Sequence, residues 1–132
     1  MLIADDDPCM RNVLRLALGS LRVSTPGGER GFMADTAGTV AEAREKFRQT
    51  PYDIALLDGR LPDGKGHELA REIRAGHPRV YIVLMTAGGL TEAGFEFDPG
   101  DRFDILIKPF DPDMFRNMLA KAAKAVTADR AS

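Results

Sequence analysis

Ile54-Ala55-Leu56-Leu57 is an uninterrupted apolar run that stops on Asp58 and gives way to Gly59-Arg60-Leu61-Pro62-Asp63-Gly64-Lys65-Gly66. Apolar residues at successive rather than alternate positions mark a strand buried on both faces, as in a parallel sheet. The Gly- and Pro-containing stretch behind it forces a loop before any helix can start. In an open α/β sheet the ligand lies just beyond the carboxyl ends of the strands. Asp58 therefore falls where such folds place their chemistry.

Four other runs repeat the pattern. Leu2-Ile3-Ala4 ends on Asp5-Asp6-Asp7, and Val80 to Met85, the strongest run, ends on Thr86-Ala87. Phe103 to Ile107 ends on Lys108-Pro109, and Gly31 to Asp35, with only three apolar residues, suits an edge strand. Helical patterns separate the runs. Asp7-Pro8 and Asp111-Pro112 each pair a capping acid with a proline at the first helical position, and Thr39 to Glu42 is a capping box. The first helix offers Met10, Val13, Leu14, Ala17, Leu18 and Leu21 as a buried stripe. The second, Val40 to about Gln49, buries Val40, Ala43 and Phe47, and the third, about Gly66 to Ala75, buries Leu69, Ala70 and Ile73. A fourth is expected within Gly88 to Arg102, short or mobile because Gly94, Pro99 and Gly100 interrupt it. The last buries Met114, Phe115, Met118, Leu119 and Ala122. Ser24 to Arg30 reads as a solvent-exposed polar loop.

Alternating strands and helices call for a parallel sheet covered on both faces, joined by right-handed crossovers. The expected fold is a flavodoxin-like, doubly wound five-stranded α/β sheet of order 2-1-3-4-5. Its switch point, between the first and third strands, would gather Asp5, Asp6 and Asp58, leaving Asp35 as an exposed strand-end acid on the far edge. Carboxylates so close repel one another unless a cation intervenes, and an all-oxygen set suits Mg²⁺, with Mn²⁺ as a second possibility. Thr86 can donate to a bound oxyanion and Lys108 adds positive charge. That combination suits phosphoryl transfer to a carboxylate.

With 132 residues the chain is of single-domain size, and we read 1–125 as the domain and 126–132 as a polar tail. The net charge of -2 gives no electrostatic basis for binding nucleic acid or an anionic membrane. The absence of a span-length apolar run or a charged leader leads us to expect a cytoplasmic protein. Cys9, the single cysteine, reads as a small buried apolar residue. His67 and His77 read as solvated helix-start and loop residues, Asp7 as a cap, and Asp63 and Lys65 as solvated turn charges.

The acidic pair Asp5-Asp6, Asp58 followed by Leu61-Pro62 and Gly66, Thr86-Ala87, and Lys108-Pro109-Phe110 occur in order at suitable spacings. Over nearly its whole length the chain resembles the receiver domain of bacterial two-component response regulators, most closely the stand-alone receivers of the chemotaxis type. The resemblance implies that Asp58 accepts a phosphoryl group from a phosphohistidine on a histidine kinase or phosphotransfer protein. It implies that Asp6, Asp58 and the Arg60 backbone carbonyl bind Mg²⁺, with Asp5 acting through a water, and that Thr86 and Lys108 contact the phosphoryl oxygens. It also implies a cis bond at Lys108-Pro109. Output would be a protein contact in trans or through a further domain, from a monomer or a phosphorylation-dependent dimer, with no enzymatic activity beyond its own phosphorylation and dephosphorylation.

The family usually has an aromatic residue where this chain has Ile105; Phe95, Phe97 and Phe103 are alternative rings, or simply core. A receiver-like module independent of phosphorylation is therefore the competing reading, and a receiver fragment of a larger regulator is another. A flavin carrier of the same fold is disfavoured because no Ser/Thr-Gly-rich phosphate loop follows the first strand. A hydrolase is disfavoured because no serine or cysteine is placed with a histidine.

Overall fold

In a computed structural model, residues 1–20, 23–25, 28–30, 34–86, 102–108 and 111–131 are described. Five parallel strands make one sheet: β1 (Leu2–Ala4), β4 (Asp35–Ala37), β5 (Ile54–Asp58), β8 (Tyr81–Thr86) and β9 (Phe103–Ile107). They lie in the order β4-β1-β5-β8-β9. Counted along the chain this is 2-1-3-4-5, the expected switch-point topology, with β1 and β5 side by side at its centre.

The helices among the described residues are α1 (Pro8–Ser20), α2 (Val40–Gln49), α3 (Gly66–Gly76) and α4 (Pro112–Ala131). Strand alternation divides the core between the two faces of the sheet. Ile54 and Leu56 of β5 point toward Leu14 of α1 and Phe115, Met118 and Leu119 of α4. Ala55 and Leu57 point toward Ala43 and Phe47 of α2 and Leu69 and Ile73 of α3. The result is three layers, with both faces of the apolar strands shielded from water.

The two capping acids act as expected, and the capping box forms in half. Cys9 N–H donates to Asp7 Oδ1 at 2.9 Å and Met114 N–H to Asp111 Oδ1 at 2.8 Å, starting α1 and α4. Glu42 N–H donates to Thr39 Oγ1 at 3.1 Å, while the Glu42 carboxylate takes the Gly38 amide at 3.5 Å instead of that of Thr39. At the opposite end of the sheet, Arg74 donates to the carbonyls of Pro78, Val80 and Arg102, at 2.8, 2.9 and 2.8 Å, tying α3 to the starts of β8 and β9. Arg102 there has φ 57°, a left-handed conformation uncommon for a residue with a side chain.

Several expectations are corrected. The second parallel strand is Asp35–Ala37, so Asp35 begins a strand instead of ending one; it pairs with Leu2, far from the strand ends that carry the site. Gly31 to Met33 lie outside the described residues. The Ser24 to Arg30 stretch contains an antiparallel ladder, β2 (Val23–Thr25) with β3 (Gly28–Arg30), where a loop was expected. Val23-Ser24-Thr25 and Gly28-Glu29-Arg30 hold too few apolar residues to announce strands by periodicity. On α1, Leu14 is buried but Val13 is 60% exposed, since the predicted stripe is wider than the surface covering it; Ala17, Leu18 and Leu21 lie outside the residues whose side chains are described. Met114 is half exposed and Cys9 exposed, each in the first turn of its helix, where both were expected to be buried. The last helix runs through Ala131, with Val126 buried, where a tail was expected. Of the expected fourth helix, residues 88–101 lie outside the described residues, as do Phe95, Phe97 and Pro109.

Candidate functional site

The site forms at the carboxyl ends of β1, β5, β8 and β9. Parallel register aligns those ends: Ala4 pairs with Leu57, Asp58 with Met85, and Thr86 with Ile107. Asp5 and Asp6 follow β1, Asp58 is the last residue of β5, Thr86 the last of β8, and Lys108 follows β9. Two backbone bonds finish the alignment, from Gly59 N–H to the Met85 carbonyl and from Lys108 N–H to the Thr86 carbonyl, both 2.7 Å.

Three carboxylates converge. One oxygen from each of Asp5, Asp6 and Asp58 lies within 4.8 Å of the others. Asp5 is fully buried; its Oδ1 accepts the Asp7 amide at 2.9 Å and its Oδ2 accepts Lys108 Nζ at 3.2 Å. The same ammonium stands 3.4 Å from Asp58 Oδ2. Asp58 Oδ1 accepts the Arg60 amide at 3.3 Å. Asp6 is exposed, so one side of the cluster faces solvent.

Electrostatics follow from this geometry. Burial raises the Asp58 pKa above its ordinary value and Asp5 adds to the rise, only partly offset by the Arg60 amide and Lys108. Burial pulls the Lys108 ammonium down, but Asp58 and Asp5 together outweigh it and hold the pKa above its usual value. One ammonium against three carboxylates leaves excess negative charge. A hard divalent cation fits: the donors are all oxygen, close together, and open to water on the Asp6 side, the arrangement in which Mg²⁺ retains several waters.

Asp5, Asp6, Asp58 and Lys108 meet here, whereas Asp35 lies on the edge strand, as expected, and accepts the Tyr52 hydroxyl at 2.6 Å. Thr86 flanks the turn after Asp58; a Cβ on Gly59 would lie 3.7 Å from its Oγ1. Phe103 is buried and Ile105 packs against the α2–α3 core. His77 lies against Phe47, ring centroids 5.5 Å apart.

Two participants were missed. Arg11 donates to the Asp5 carbonyl at 2.7 Å, tying α1 to the end of β1; its spacing of one helical turn from Asp7 was the available signal. Asp63 is an exposed turn charge, as expected, but its carboxylate also accepts the amides of Val40 and Ala41 at 2.7 and 3.0 Å. Nothing local in the sequence marks a contact made across more than twenty residues.

The family model of the response regulator receiver domain matches residues 1–120. Among curated proteins, the response regulator protein PilR of Pseudomonas aeruginosa is 34% identical over 123 residues, covering 93% of this chain and 26% of that protein. The regulatory protein AtoC of Escherichia coli is 30% identical over 122 residues, 92% of this chain and 24% of that one. The chain thus spans about a quarter of the length of these relatives. Among solved structures, response regulator protein TrrA from Thermotoga maritima, in complex with Mg²⁺-BeF, superposes with a TM-score of 0.73 at 28% identity, covering 92% of this chain and 96% of that one.

Proposed function

The chain belongs to the response regulator receiver domain family of two-component systems, and on that footing we propose that it is a switch driven by phosphorylation of Asp58. The observation that carries this reading is the Lys108 ammonium between Asp5 Oδ2 and Asp58 Oδ2, at 3.2 and 3.4 Å, beside a cluster of three carboxylates.

Asp6, Asp58 and the Arg60 backbone carbonyl would hold Mg²⁺, with Asp5 contributing through a water; Mn²⁺ is an acceptable substitute. When bound, the ion neutralises charge on the transferring phosphoryl group. Asp58 supplies the nucleophile: a carboxylate oxygen forms a bond to phosphorus as the phosphorus–nitrogen bond of a donor phosphohistidine breaks, and the imidazole leaves. Lys108, already paired with Asp58, offsets the negative charge gathered on the phosphoryl oxygens. Thr86, at the end of the neighbouring strand, donates its hydroxyl to one of them. The closed β1–β5–β8–β9 register holds these groups in place, so positioning costs nothing further at the moment of transfer.

The donor is a histidine kinase or phosphotransfer protein, and output passes through protein contact, by monomer or phosphorylation-dependent dimer. That the curated relatives are about four times as long supports a receiver module within a larger regulator. No helix among the described residues is long and apolar enough to cross a membrane.

Intact-protein mass after incubation with acetyl phosphate and Mg²⁺ tests the reading. A single phosphoryl adduct, absent in Asp58→Asn and with chelator, is expected. No adduct from acetyl phosphate or from a phosphorylated histidine donor, with folding intact, would favour a phosphorylation-independent binding module, the reading raised by Ile105 in place of an aromatic residue.

A further inference from the structure

The loop after Asp58 is anchored to a helix that the sequence places well before it. β6 (Arg60–Leu61) and β7 (Gly64–Lys65) pair antiparallel, and Asp63 stands at the turn between them. Its two carboxylate oxygens take the amides of Val40 and Ala41 at 2.7 and 3.0 Å. These are the first two amides of α2, which have no acceptor within the helix. The third, that of Glu42, is taken by Thr39 Oγ1 at 3.1 Å. Two side chains therefore cap one helix, one adjacent in sequence and one reaching back from the phosphoacceptor loop. Packing closes the same contact: a Cβ on Gly64 would stand 3.2 Å from Val40 Cγ2, and Leu61 is buried. The two backbone amides hold the Asp63 pKa below its ordinary value, as expected for a carboxylate bonded in its charged form.

Thr39 alone provides an ordinary cap; what Asp63 adds is a link. The loop is fixed at its base, where Gly59 N–H meets the Met85 carbonyl at 2.7 Å and Gly66 N–H meets the Gly59 carbonyl at 3.0 Å. Asp63 is the polar anchor at its tip. Between base and tip lies Arg60, whose amide already bonds Asp58 Oδ1 at 3.3 Å. We propose that Asp63 is a positioning residue: by clamping the loop to the α2 N-terminus it holds the Arg60 backbone where metal binding and phosphoryl transfer at Asp58 require it. The inference rests on the phosphoacceptor reading above.

Asp63→Ala and Thr39→Ala separate positioning from capping, since both remove acceptors from the same helix N-terminus but only the first releases the loop. Mg²⁺ affinity is measured by calorimetry on the full chain well below its melting temperature, together with hydrogen exchange of the Leu61 and Lys65 amides. Both variants are expected to melt earlier. Asp63→Ala is expected to weaken Mg²⁺ binding about tenfold, the usual scale for losing a group that supports a ligand, and to accelerate loop exchange. Thr39→Ala should leave both within about twofold, and Asp63→Asn, which keeps one acceptor oxygen, should fall between; it serves as the reading if Asp63→Ala does not fold. Equal effects of Asp63→Ala and Thr39→Ala on Mg²⁺ affinity, or none from either, would overturn the proposal. Failure of the unsubstituted protein to bind Mg²⁺ would sink the phosphoacceptor reading instead, and unchanged loop exchange in Asp63→Ala would then sink the clamp as well.

Discussion

The Lys108 ammonium stands 3.2 Å from Oδ2 of Asp5, a fully buried carboxylate 103 positions earlier in the chain. Two strand ends meet here across the centre of the sheet, with Asp58 between them at 3.4 Å from the same nitrogen. A buried carboxylate needs a partner, because losing one leaves a charge away from water.

Lys108→Ala should therefore cost about 2 kcal/mol of stability, the scale for orphaning a buried charged acceptor. Phosphorylation of Asp58 should slow about a hundredfold, as when one group stabilising transition-state charge is removed. Because a divalent cation among Asp5, Asp6 and Asp58 can replace the missing positive charge, Mg²⁺ should narrow the stability deficit. Thermal denaturation with and without the ion checks this; a deficit that Mg²⁺ leaves unchanged refutes it.

Gly66 is irreplaceable for steric reasons. A Cβ there would lie 2.0 Å from the Asp58 carbonyl oxygen and 3.1 Å from the Gly59 Cα, both backbone atoms that cannot swing aside. Gly66→Ala is expected to destabilise by about 3 kcal/mol, the upper scale for overpacking, and to displace Asp58 enough to abolish the phosphoryl adduct. Gly19, in α1 with nothing within 4 Å of its would-be Cβ, is the control. Gly19→Ala should stabilise by roughly 0.5 kcal/mol through helix propensity. Denaturant unfolding of the two variants gives opposite signs if the close approach is real.

The phase of α1 is open to the same measurement. Leu14 is 2% exposed and packs beneath the sheet, whereas Val13 is 60% exposed. Leu14→Ala should cost about 3 kcal/mol, and Val13→Ser should stay within about 0.5 kcal/mol. Equal losses would mean that the helix is rotated from the position described.

Tyr52 donates to Asp35 Oδ2 at 2.6 Å. Burial first, then the bond and the charge of Asp35, push its pKa up from 10.0 to about 12. A pKa raised on folding means that the neutral form is favoured in the folded state. This contribution to stability is fully present below pH 10.0 and disappears as pH rises through about 12. Burial also raises Tyr81. Ultraviolet titration of the native protein should show no tyrosine ionising at its ordinary value, and Asp35→Asn should lower the Tyr52 midpoint. A normal midpoint for Tyr52 in the native protein would contradict the geometry.

Much of this was legible in the sequence because it depends on local pattern. Apolar runs such as Ile54 to Leu57 specify buried strands, and Asp7-Pro8, Thr39 and Asp111-Pro112 specify helix starts through their own side chains and the amides within three residues of them. Strand and helix alternation then fixes a parallel sheet, and its switch point brings Asp5, Asp6 and Asp58 together. What tertiary structure alone decided concerns partners chosen by packing. Val13 and Leu14 are adjacent and both apolar, yet only the docking angle of α1 says which is covered. Asp35 looks like another strand-end acid, but the strand begins with it, and its register beside Leu2 aims it at Tyr52. Asp63 looks like a turn charge and remains exposed, but once the loop folds against α2 two otherwise unpaired amides come within its reach. Hydrophobic period is written every two or four residues along a chain, whereas a hydrogen bond between distant segments exists only after the core has brought them together.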